Sequence, residues 1–124
     1  MNRLSSMMLV LGTTNAGKQQ ELATLLEPFQ IECRSLKDFA SAVRVAETGN
    51  TFADNAALKA IQQAQALNHW VLAEDSGLVV EALDGSPGVY SARFAGPEAS
   101  DDDNNALLIE QLTDVPSSRR IAYY

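Results

Sequence analysis

The feature that most constrains this chain is an apolar run that ends in glycine and gives way at once to a helix. Met7 to Gly12, MMLVLG, reads as a buried strand. Asn15 or Ala16 then opens a helix to about Glu27, with Leu22, Leu25, Leu26 and Phe29 as its apolar stripe and Pro28 as its stop. The connecting residues, GTTNAGKQ from Gly12 to Gln19, nearly spell a P-loop. Gly12, Gly17 and Lys18 fit the pattern, but Gln19 stands where a Ser or Thr would ligate magnesium.

The rest of the chain repeats the alternation. Ile31 to Leu36 alternates apolar and polar like a half-exposed strand, and the stretch after it is irregular, with room for a short helical turn. Thr51 to about Leu67 is the longest helical signal, with Ala57, Ala60, Ile61, Ala64 and Leu67 as its expected buried face. Trp70 to Ala73 and LVVEAL (78–83) read as strands, DGSPG as a turn around Pro87, and Asp101 to Leu112 as a helix with an acidic first turn. RRIAYY reads as the first half of a strand. Without repeat, linker or low-complexity tract, this order predicts one α/β domain over residues 1–124, with a mostly parallel or mixed central sheet.

Charge and composition narrow the function. A formal net charge of -7 argues against nucleic acid or an anionic membrane as partner, and leaves a small anion open, because loops, helix ends and metal ions decide local binding. Cys33 is the one cysteine, which excludes a disulfide framework and a cysteine-based zinc cluster. The apolar run in MNRLSSMMLVLG is too short for a signal peptide or a membrane span, so a soluble cytoplasmic protein is expected.

Three stretches carry candidate chemistry. A glycine-containing turn between strand and helix is a ready anion site: the helix dipole favours negative charge, Lys18 adds a point charge, and Thr13, Thr14 and Asn15 add polar groups. The plain alternative is a turn with Asn15 as helix cap. EDSG, Glu74 to Gly77, ends an apolar strand, where ligands of open α/β sheets gather, and one of its two acids can face a cleft. In ETGNTFADNAALKA, Glu47 precedes a turn, Thr51 or Asp54 can cap the long helix, and Asn55 and Lys59 share one helical face. Magnesium takes carboxylate oxygens from very few protein ligands, and Glu47 and Asp75 could supply them, which moves the metal off the loop and frees position 19. Asp101 to Asp103 fits the helix dipole better than a metal, and His69, the one histidine, reads as structural. Tyr90, Arg93 and Phe94 read as packing or a partner surface.

LGTTNAGKQQEL, ETGNTFADNAALKA and VLAEDSGLVVEALDGSPGVYSARFAG, in this order and spacing, resemble the inosine triphosphate pyrophosphatase family. The resemblance implies an elongated α/β fold with two lobes around a mixed sheet, magnesium dependence, a homodimer, and hydrolysis of ITP, dITP and XTP to the monophosphate and pyrophosphate. It places Thr13, Thr14, Asn15, Ala16, Gly17 and Lys18 in a substrate-binding motif, and makes Asp75 metal ligand and general base. It sets Ser76 beside the substrate, Glu47 as a second acid near the metal, and Asn55 and Lys59 near the phosphates. Thr14 departs from the family, which has glycine there. Family members also continue beyond Tyr124 with purine-binding segments, so the resemblance covers roughly the N-terminal two-thirds of such an enzyme, as a fragment or a truncated gene product. The competing expectation is a catalytically incomplete remnant that binds nucleotide or dimerises.

Overall fold

The computed structural model describes residues 7–124; the first half of MNRLSSMMLVLG, residues 1–6, lies outside them. The chain divides into two compact units, one ending at Glu74 and the other beginning at Asp75.

The first unit holds β1 (Met8–Leu11), α1 (Ala16–Leu26), β2 (Glu32–Ser35), α2 (Phe52–Leu67) and β3 (Val71–Leu72). The three strands form a parallel sheet in the order β2-β1-β3, with Val10 opposite both Arg34 and Val71. The central strand is the apolar one: Val10 and Leu11 are buried, and Val10 packs with Leu36 and Leu67, flanked by Phe39, Ala42 and Val71. Gly12 closes β1 because β3 passes too near for a side chain. A Cβ there would lie 2.8 Å from Val71 Cγ1, while the Gly12 N–H donates to the Leu72 carbonyl at 2.7 Å. The first glycine of the P-loop-like pattern therefore serves sheet packing.

Both helices start at the expected caps and bury the expected faces only in part. Asn15 caps α1, its side chain accepting from the Lys18 N–H. Pro28 falls inside a 3-10 turn, Glu27–Phe29, that ends the helical run. Leu25 and Phe29 are exposed, and Lys18, Gln19, Leu22, Ala23 and Leu26 are the half-covered residues of α1. Gln19 lies on that covered side because its Oε1 accepts from Ser35 Oγ on β2 at 3.3 Å. Thr51 caps α2 through its side chain, and Asn68 ends it in the left-handed conformation, φ 54°. Of the expected inner face, Leu67 is buried while Ala57 and Ile61 are exposed. Asn55 and Gln63 take the buried positions instead, because each finds a hydrogen-bond partner in the segment before the helix.

The second unit holds β4 (Val79–Val80), α3 (Asp101–Gln111) and β5 (Ala122–Tyr123). The strand expected over 78–83 stops early: Glu81–Leu83 is a 3-10 turn ended by Asp84 at φ 52°. RRIAYY does supply a strand, and β5 pairs antiparallel with β4, Val80 opposite Ala122. Ser100 caps α3 in a reciprocal box with Asp103, the last residue of the acidic run. Buried Asn104 ties α3 to the preceding loop, accepting from the Ala95 N–H at 2.8 Å and donating to the Ala92 carbonyl at 3.1 Å. No helix among the described residues is long and apolar enough to cross a membrane.

Candidate functional site

The loop after β1 is built from its own short-range hydrogen bonds. Thr13 is buried, and its hydroxyl oxygen accepts from the Asn15 N–H at 3.1 Å. Asn15 Oδ1 accepts from the Lys18 N–H at 3.1 Å. A helix leaves four N–H groups at its start without intrahelical partners. Here the cap and third positions are satisfied locally, and Ala16 and Gly17 stay exposed at the open end of α1. That end carries the positive pole of the helix dipole, the setting in which backbone N–H groups hold an anion. Thr14 is exposed and is not among the residues with left-handed φ, so its β-branch sits there without backbone strain.

Lys18 lies in the first turn of α1, with Nζ 2.8 Å from Glu74 Oε1. The pair follows from topology: β1 and β3 are parallel neighbours, so the loop after Leu11 and the residues after Leu72 leave the sheet at the same edge. The sequence allows either of the two acids to face a cleft; beside the loop, the Glu74 carboxylate pairs with Lys18. The signal lay in the register, Leu11 opposite Leu72, which cannot be read from either strand alone.

A second polar group sits against α2. Glu47 Oε1 is 2.9 Å from Lys59 Nζ, both half-buried. Asn55, fully buried, accepts from the Gly49 N–H through Oδ1 at 2.7 Å, and its Nδ2 has no hydrogen-bond partner among the described residues. Asn55 and Lys59 are therefore embedded groups, not a solvated edge. The first unit thus joins Lys18 with Glu74, Glu47 with Lys59, and Asn55 with Gly49.

Asp75 and Ser76 open the second unit, Asp75 half-buried and Ser76 exposed. Also in this unit, Ser86, Pro87, Tyr90, Arg93, Phe94 and Pro97 line an open hollow of about 320 Å³, with the Arg93 guanidinium 5.1 Å from the Tyr90 ring centre. Among the described residues no group of three or more His, Cys, Asp or Glu side chains forms a metal cluster. Magnesium needs no such cluster: it keeps waters and phosphate oxygens and takes one or two carboxylates. Glu47 and Asp75 are hard oxygen donors of that type.

A three-stranded parallel sheet with an open helix start after its central strand and two half-buried carboxylate–lysine pairs marks an α/β protein. The chain belongs to the Ham1 family, whose sequence profile matches residues 9–124. It is 58% identical over 106 residues to a protein from an Exiguobacterium species named dITP/XTP pyrophosphatase, covering 86% of this chain and 54% of that one. A Rhodopirellula baltica protein of the same name is 52% identical over 124 residues, covering 100% and 59%. Among solved structures, the HAM1 protein of Coxiella burnetii matches with a TM-score of 0.81 at 35% identity, over 94% of this chain and 58% of that one. The Ham1 protein of Staphylococcus aureus matches at 0.76 and 37%, over 93% and 58%. The chain therefore spans a little over half the length of the relatives it matches.

Proposed function

We propose that this chain carries the triphosphate-handling residues of a magnesium-dependent nucleoside triphosphate pyrophosphatase that acts on ITP, dITP and XTP. The observation that carries the reading is the relatives' name: proteins 58% and 52% identical are both called dITP/XTP pyrophosphatase. The geometry of the first unit supports it. Ala16 and Gly17 offer N–H groups at the start of α1, and Lys18 brings a cation to the same turn. Thr13 and Asn15 hold the loop in that shape, and Thr14 borders it.

Glu47 and Asp75 are the carboxylates that would hold magnesium, which when bound screens the phosphate charges and polarises the α-phosphorus. Asp75 would take a proton from the attacking water as its oxygen bonds to the α-phosphorus. The bond from that phosphorus to the bridging oxygen then breaks, and pyrophosphate leaves. Ser76, beside Asp75, would contact the substrate, and Asn55 and Lys59 would sit near the phosphates, the orphaned Nδ2 of Asn55 being a donor suited to an anion. A cytoplasmic homodimer is the setting proposed with this activity.

The test is release of pyrophosphate from dITP by the chain in magnesium. Asp75→Asn should lower turnover on the order of 10²-fold or more while far-UV circular dichroism stays unchanged. Turnover within about tenfold of the parent would remove Asp75 from the proposed role. Triphosphate binding by the parent without turnover would support a non-catalytic nucleotide-binding module instead.

A further inference from the structure

Helix α2 aims three polar side chains, spaced four residues apart, at one irregular stretch of backbone. Asn55 Oδ1 accepts from the Gly49 N–H at 2.7 Å. One turn on, Lys59 Nζ lies 2.9 Å from Glu47 Oε1. A further turn on, Gln63 Oε1 accepts from the Val43 N–H at 3.0 Å, and Gln63 Nε2 donates to the Val43 carbonyl. Residues 43, 47 and 49 thus meet 63, 59 and 55, so the segment runs antiparallel along the helix. It contains no strand or helix of its own, and its backbone groups need partners from elsewhere.

The two ends of this ladder are amides, and both are buried: Asn55 is 0% exposed and Gln63 3%. Buried amides cost stability unless hydrogen-bonded, and Gln63 spends both ends of its side chain on one residue, Val43. The near end admits only glycine: a Cβ on Gly49 would lie 2.7 Å from Asn55 Oδ1 and 2.6 Å from Asp54 Cβ. Glu47 sits between the clamps, at a tight turn in which the Thr48 N–H donates to the Ala46 carbonyl at 3.1 Å.

We propose that Gln63 is a positioning residue for the Glu47 carboxylate. It pins the far end of the 43–49 segment, Asn55 pins the near end, and Glu47 is held between them against Lys59. Gln63→Met keeps the side-chain length and removes both hydrogen bonds. Amide hydrogen exchange on the full chain should then quicken at Val43, which loses its acceptor. It should also quicken at Gly49, which Gln63 does not touch, by about tenfold or more, with Val10 and Gly12 unchanged. Acceleration confined to Val43 overturns the assignment, and so does acceleration shared equally by Val10 and Gly12. Should Gln63→Met fail to fold, Gly49→Ala loosens the segment from the other end, and an unchanged Val43 exchange rate overturns the assignment equally. A second arm rests on the proposed pyrophosphatase activity. In Gln63→Met the magnesium concentration for half-maximal pyrophosphate release should rise about fivefold or more, and the rise should vanish in a Glu47→Gln background. A rise that persists undiminished without the Glu47 carboxylate overturns the positioning role. A parent chain that does not cleave dITP sinks the pyrophosphatase reading alone, and the exchange rates decide the role of Gln63.

Discussion

Lys18 holds one ion pair in the fold, and in the proposed activity the same side chain would hold a triphosphate. Its ammonium is 2.8 Å from the Glu74 carboxylate, and both side chains keep about a third of their surface in water. A surface pair of this kind adds little stability, so exchanging Glu74 for a more highly charged partner is inexpensive. Removing the ammonium leaves the Glu74 carboxylate beside the loop, where it repels an incoming anion. Lys18→Ala should therefore weaken dITP by about tenfold or more, the cost of a lost charge-assisted contact plus that repulsion, and leave deoxyinosine nearly unchanged. Adding Glu74→Gln should recover part of the loss. Calorimetric titration with both ligands checks this, and equal weakening of nucleoside and triphosphate would show that Lys18 acts through folding. Gln19 illustrates the converse. The residue that breaks the P-loop pattern turns to Ser35 on β2, so its identity belongs to helix–sheet packing.

At the scale of elements, the helix starts were legible and the buried faces only in part. Asn15, Thr51 and Ser100 cap α1, α2 and α3, because a short polar side chain before an apolar-periodic run is a local signal with a local cause. Which face a helix buries is set by partners distant in sequence. Periodicity put Ile61 inside α2, whereas the ladder to residues 43–49 turns Asn55 and Gln63 inward and leaves Ile61 57% exposed. Strand β4 was overextended for a related reason: LVVEAL has the composition of a strand, but Asp84 adopts left-handed φ and closes a turn over Glu81–Leu83. Of the candidate site, the loop, Glu47 and Glu74 were visible as motifs, while the pairing of Glu74 with Lys18 and of Gln63 with Val43 required knowing what lies opposite them. The α3 cap also makes a prediction about pH. The backbone N–H and side chain of Ser100 hydrogen-bond to Asp103 and hold its carboxyl below the ordinary aspartate value of 3.8. A depressed value means stabilisation that is complete above the unfolded-state value and disappears as pH falls through the folded one. Asp103→Ala should therefore lower the melting temperature at pH 6, and the gap from the parent should close as the pH drops below 3.8. A gap that stays constant from pH 6 to strong acid would mean that the carboxylate charge contributes nothing to the cap.

At the scale of the whole molecule, apolar surface and net charge pull against each other. Among the described residues, the buried large apolar side chains are few: Val10, Leu11, Leu36, Leu67, Val80 and Leu112. Phe29 (71% exposed), Trp70 (72%) and Tyr124 (86%) lie open, with Leu25 and Ile109 also exposed. Strand β5 pairs with β4 on one side in a two-stranded sheet, and its residues are exposed, so its outer row of N–H and C=O groups offers a template for another chain. These surfaces favour association between copies, at a free energy that scales with the apolar area removed from water. The formal charge of -7 opposes it, because like-charged copies repel until salt screens them. The two terms respond oppositely to ionic strength: screening shortens the reach of the repulsion from about 30 Å at 0.01 M to about 8 Å at 0.15 M and leaves apolar burial intact. Sedimentation velocity should therefore show the chain self-associating, with the larger species growing as salt rises and Trp70→Ser or Tyr124→Ser shifting the balance back toward monomer. A chain that stays monomeric at every ionic strength and unfolds in one cooperative transition would show that the exposed aromatic side chains and the β5 edge carry no association energy.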